Sequence, residues 1–246
     1  MDTQSFGLQK AAAWSAILAC VVFYAAFVFA GFIPPPGPSM TRDQVVAMYS
    51  ERINGIRWGM LCMLVSSMLL SPITAAISVQ IRQMEFRGSR ILTYTQLSSG
   101  TVTVLTLLFP AIFFEVTAFR PDRNPDVTYA LNDLSWFMTV LPWPPFFIQY
   151  VCIAIAIFRD TRENPAFPRW IAYFCVWIAI SLWPACGLTF FKTGPLAWNG
   201  IFSFWIPAGV FAVWFFVMAI ALLKTINRQQ REFNASNPQA ADMADL

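Results

Sequence analysis

Glu115 is the one acid inside a long apolar run of this chain, so any proton or cation chemistry at membrane depth starts there. An intramembrane carboxylate is costly and is usually kept for a proton, a cation or a cationic ligand. The bland alternative is a carboxylate near the outer boundary, close to Arg120, that reaches water. The second feature is Pro142-Trp143-Pro144-Pro145. Three prolines so close together cannot continue a regular helix, because each lacks an N–H and crowds the preceding turn. Carbonyls freed at that depth need other partners or a wet cavity, so the segment reads as a helix broken at a binding site. The alternatives are a packing kink, or a span that begins only at Phe146. Arg57, Asp133, Lys192 and Asn199 stand at span ends on the same side as Glu115 and complete the candidate ligand-binding set with Pro142, Pro144 and Pro145. Lys192 is a candidate partner for Glu115 or Asp133, and Asn132-Asp133 for a helix cap.

The chain contains no histidine. That removes His-ligated haem, the usual catalytic zinc sites and Ser–His–Asp or Cys–His catalysis. No metal site, cofactor or catalytic residue is expected, and an enzyme acting on lipid ranks last. The five cysteines make no C-x-x-C, fall in apolar runs and read as small buried hydrophobes. Trp143, Trp177, Trp183, Trp205 and Trp214 lie within the runs, where a core or lipid-facing role is the simpler reading and an aromatic-lined apolar pocket the sharper one.

The elements that hold these residues are membrane helices. The chain is 57% hydrophobic and 12% charged, against about 25% charged in a soluble domain. Apolar runs predict six spans at about 11–32, 56–81, 92–117, 134–158, 169–191 and 201–223, each long enough to cross about 30 Å of hydrocarbon. The fold class is therefore all-α: a polytopic transmembrane bundle behind a leader of residues 1–10. A Pro-rich connector from Pro34 to Pro38 ends the first span. Thr41 and Gln44 make a capping box, and Val45, Met48, Tyr49 and Ile53 at helical spacing predict a short interfacial amphipathic helix over 41–54. The first half of the third span is rich in Thr, Ser and Gly, which predicts a central helix. Phe119–Asp133 reads as a charged loop. Trp14, Trp58, Trp136, Trp170 and Trp198 lie near span ends, as an aromatic belt would. The polar tail, 224–246, is expected to be disordered.

Lys10, Arg82, Arg87, Arg90, Arg159, Arg162, Arg169, Lys224, Arg228 and Arg231 fall on the side of both termini. Arg42, Arg52, Arg57, Arg120, Arg123 and Lys192 fall on the other. The bias places both termini in the cytoplasm. The expected surroundings are the lipid bilayer, with a membrane-protein partner or a second copy of the chain as further contacts. No phosphate loop or basic run points to nucleic acid.

Leu131-Asn132-Asp133-Leu134, Pro144-Pro145-Phe146 and the run from Phe191 through Lys192-Thr193-Gly194-Pro195-Leu196-Ala197-Trp198-Asn199 to Gly200 carry a resemblance. In them the chain resembles a group of bacterial six-pass integral membrane proteins with no assigned activity, over about Pro34 to Leu223. The resemblance implies a bacterial inner (plasma) membrane and brings no catalytic residues. The leading expectation is binding or transport of a small or apolar solute. The alternative is a non-catalytic scaffold or accessory subunit of a membrane complex.

Overall fold

A computed structural model describes residues 3–85 and 89–237, and every regular element among them is helical. The chain forms α1 (Thr3–Phe29), α2 (Arg42–Met84), α3 (Ile91–Phe119), α4 (Pro125–Val140), α5 (Pro144–Arg159) and α6 (Arg169–Ser181). A 3-10 helix (Trp183–Thr189) and a π-helical turn (Ile201–Trp205) then lead into α7 (Ile206–Ser236). Taking α4 with α5, α6 with the 3-10 helix and the π turn with α7, six helical stretches are long and apolar enough to cross a bilayer. The protein is an all-α, six-span membrane bundle.

Small residues decide who packs on whom. α1 lies along α2 and α7, and α3 meets α2, α4 and α5. A Cβ on Gly55 would lie 2.5 Å from the Phe29 carbonyl oxygen, and one on Gly59 would lie 2.4 Å from that of Ala26. Gly55 and Gly59 thus let the α1 and α2 backbones touch, as a G-x-x-x-G pair does where no hydrophobic force drives helices together. Ala19 and Ala26 of α1 are fully buried, and Ser66 Oγ donates to the Ala19 carbonyl at 2.8 Å. The polar face of α3 is central as expected: Thr93, Gln96, Ser99, Gly100, Thr103 and Thr106 are buried. Ser78 on α2 donates to Gln96, pairing groups that lipid could not satisfy.

Arginine side chains close several helix ends. α1 finishes on Gly31 at φ +67°, with Phe32 N–H donating to Phe27 O and Gly31 N–H to Val28 O, the Schellman arrangement. Arg52 Nη1 adds a bond to Gly31 O at 2.6 Å. At the C-terminal end of α3, Arg57 donates to the Ala118 and Phe119 carbonyls and Arg123 to Val116. At the opposite end, Glu85 accepts from the Leu92 and Thr93 N–H groups and so caps α3 across the turn.

Several boundaries differ from the sequence reading. The capping box of Thr41 and Gln44 is present. The helix it starts is not separate from the second span. It runs on through a kink at Arg52 as the N-terminal arm of α2, a helix of 43 residues, about 65 Å at 1.5 Å per residue. The charged loop expected from Phe119 to Asp133 shrinks to a few residues. Asn124, not Asn132 or Asp133, caps α4 by accepting from Asp126 N–H, with Pro125 in the first turn. The two arms meet where Arg42 pairs with Asp126 at 3.1 Å and Tyr49 donates to Asn132 at 3.3 Å. Trp136 and Trp198 are buried rather than part of a belt, whereas Trp14, Trp58 and Trp170 are exposed. Cys186 is exposed and Cys62 half-buried, so only Cys20, Cys152 and Cys175 match the buried expectation.

The tail departs most. It is helical through Ser236, while 238–246, like Phe86–Gly88 of the basic loop and residues 1–2 of the leader, lies outside the described residues. Gln80, fully buried on α2, exchanges two amide bonds with Gln229 of α7 and donates to Gln9 of α1 at 3.0 Å. Gln229 also donates to Gln83, and Lys10 Nζ to Gln230 at 2.7 Å. Gln80→Leu strands these amides at a cost of about 2–4 kcal/mol. It is expected to release the end of α7, read as faster hydrogen exchange over residues 224–236; unchanged exchange there would show that the amides do not hold it. The neighbouring turn is pinned by Asp160, which binds the Arg162 guanidinium and Ala166 N–H. Burial alone would push the Asp160 carboxyl up, but these bonds outweigh it and hold it below the usual carboxylate range.

Candidate functional site

The interruptions in three spans converge on one space. A cavity of about 320 Å³ lies inside the bundle, and residues from all of the spans line it. α4 stops at Val140, because Pro142 and Pro144 have no N–H to give the Met138 and Val140 carbonyls. Trp143 N–H turns back to Leu141 O at 2.7 Å. Pro142 and Trp143 of this break line the cavity, as do Ala185 of the 3-10 helix and Phe204 and Trp205 of the π turn. Pro110 of α3 lines it too, together with Thr106, whose carbonyl Pro110 cannot serve. Irregular backbone at membrane depth survives only where protein or a cavity surrounds it, and π turns are frequent at functional sites.

Aromatic side chains keep the space open. α7 leans on α1 and touches α6 only lightly. Between α5 and α7 stand Phe146 against Phe211, at 5.8 Å between ring centres, and Tyr150 against Trp214, at 5.2 Å. Rings of this size in contact prevent the two backbones from closing. Several polar groups on the lining already have partners: Tyr24 donates to Ala208 O, Thr106 to Thr103 O, Thr139 to Ser135 O and Ser203 to Leu196 O. The lining is therefore a mainly apolar surface on which the indole N–H groups of Trp143 and Trp205 and the Tyr150 hydroxyl make no hydrogen bond among the described residues. Ile33, Trp205 and Gly209 on the lining are exposed, which marks the mouth.

The other sequence-predicted residues lie elsewhere. Pro144 and Pro145 form the first turn of α5, where a missing N–H costs nothing, and they do not line the cavity. Glu115 does not line it either. It sits five residues beyond Pro110 on α3, half-buried, with Oε1 lacking a hydrogen-bond partner. Arg57 attracts it electrostatically, while Arg57 Nη2 donates to the end of α3. Lys192 acts electrostatically on Asp133, which Asn132 contacts at 3.5 Å. No described ion pair joins Lys192 to Glu115 or Asp133. Asn199 rests against Gly37 of the connector. The structure thus separates two places that the sequence reading joined: an apolar cavity at the proline break and a loose polar belt towards the span ends away from the two termini.

A plug of rings lies at the α3–α4 level. Trp136 is fully buried and packs against Phe32 at 5.2 Å, Phe114 at 5.4 Å and Trp198 at 6.2 Å, the last stacked within 10°. Trp198 Nε1 donates to the Pro36 carbonyl, tying the plug to the connector. Trp136 Nε1 has no partner. No group of His, Cys, Asp or Glu side chains among the described residues is placed to hold a metal ion.

No protein-family model, curated protein or solved structure matches the chain.

Proposed function

We propose that the protein binds an apolar molecule in the cavity bounded by the Pro142–Trp143 break, the 3-10 helix and the π turn. The convergence of three helix interruptions on one apolar space carries this reading. Its volume of about 320 Å³ is at the small end of ligand sites, which suits a small hydrophobic solute or part of an acyl chain. A scaffold would favour a bundle packed solid, and the rings between α5 and α7 support ligand binding instead. The membrane is proposed to be a bacterial inner membrane with both termini in the cytoplasm. The resemblance to bacterial six-pass proteins and the greater share of Lys and Arg at the end holding both termini support that placement.

Gly209 provides the test. It belongs to the lining and is exposed, and a Cβ built on it meets nothing within 4 Å. Gly209→Trp should fill the mouth without disturbing the fold. With a photoreactive medium-chain fatty acid as probe, the wild type is expected to be labelled on the segments around Trp143 and Phe204. Gly209→Trp should weaken that labelling roughly tenfold, about 1.4 kcal/mol of binding. Equal labelling of both proteins, or labelling spread evenly onto the outward-facing Tyr173 and Ile180, would overturn the proposal.

A further inference from the structure

A second opening lies at the other end of the bundle, independent of the cavity above. One stripe of α7 changes character along its length. Val217, Ile220 and Ala221 are apolar, and the same face continues as Lys224, Arg228 and Arg231, spaced four and three residues apart. Opposite stand Trp170 and Ile171 at the start of α6, and Pro165, Ala166 and Pro168 before it. Together they enclose a cleft of about 600 Å³. Thr225 donates to the Ala166 carbonyl, and Arg228 donates to Asn164 and Pro165, so the two walls are tied together.

The charges in this cleft are largely uncommitted. Lys224 and Arg231 are exposed and make no hydrogen bond or ion pair among the described residues. Arg228 Nε is buried without a hydrogen-bond partner, and its nearest acid, Glu232, is 3.9 Å away with a side chain 60% exposed. Trp170, 55% exposed at the start of α6, is of the residue type that favours the headgroup level. An occupant must therefore be apolar along one part and anionic at the end that meets Lys224, Arg228 and Arg231. Basic pockets between membrane helices select lipid headgroups in this way.

We propose that the cleft between α6 and α7 holds an anionic phospholipid, its phosphate among Lys224, Arg228 and Arg231 and an acyl chain along Val217, Ile220 and Trp170. The double variant Lys224→Gln/Arg231→Gln tests this without touching the loop that Arg228 secures. The purified protein is passed through bilayers containing equal phosphatidylglycerol and phosphatidylcholine, and retained lipid is counted by native mass spectrometry. The wild type should retain phosphatidylglycerol preferentially, with roughly fivefold weaker retention for each cation removed. The control Arg120→Gln, at the opposite end, should keep the wild-type preference. Three outcomes would overturn the proposal. One is equal retention of both lipids by the wild type, and another is an undiminished preference in the double variant. The third is thermal stabilisation by millimolar inorganic phosphate as large as that by phosphatidylglycerol, which would make the site one for a free anion.

Discussion

Gly59→Leu is expected to prevent α1 from seating on α2 and to cost more than about 3 kcal/mol. Overpacking costs about 1–3 kcal/mol when neighbouring side chains can yield. Here the first obstacle is backbone: a Cβ would stand 2.4 Å from the Ala26 carbonyl oxygen, with Ala30 Cβ at 3.0 Å. No rotamer of leucine moves that oxygen, so α1 must shift along its whole contact with Gly55, Gly59 and Ser66. Unfolding of the purified protein in rising dodecyl sulfate measures the effect. Gly7→Leu is the matched control, since a Cβ at Gly7 meets nothing within 4 Å. If the two variants unfold together, the α1–α2 approach is not what holds the hairpin.

Trp136→Ala is expected to cost about 3–5 kcal/mol, the usual loss for emptying a fully buried aromatic site. The ring is the centre of the plug formed by Phe32, Phe114 and Trp198. Trp136→Phe should cost far less, because Trp136 Nε1 makes no hydrogen bond that phenylalanine would lose. The same unfolding titration, with near-ultraviolet circular dichroism to follow the stacked indoles, separates the two. Equal losses for alanine and phenylalanine would mean that the indole N–H matters and the plug's strength is polar.

The six spans and the central place of α3 are legible in the sequence because lipid imposes long apolar runs and forces Thr, Ser and Gln to face protein. Helix joins are less legible. Arg52 looks like a boundary between a surface helix and a span, yet it is only a kink, because helical hydrogen bonds resume on both sides of it. The end of α7 looks disordered because its polarity counts against burial; docking depends on Gln9, Gln80 and Gln83, far away in the chain. At the site, Pro142 signals a break from composition alone. The cavity beside it depends on Phe211 and Trp214, which meet Phe146 and Tyr150 only in three dimensions. Gly55 and Gly59 carried a readable four-residue spacing, and that signal was available without any structure.

Arg52, Arg57 and Arg123 close the carbonyl ends of α1 and α3, where a cation also meets the negative end of the helix dipole. Under the proposed orientation all three lie on the side where insertion disfavours positive charge. Replacing them with neutral residues would sharpen the topological signal while leaving helix ends open. The same guanidinium groups therefore answer to two opposed demands, one during insertion and one after it. Under that orientation these three caps account for part of the modest charge asymmetry, while Arg42, Arg120 and Lys192 on the same side donate to no helix-end carbonyl among the described residues.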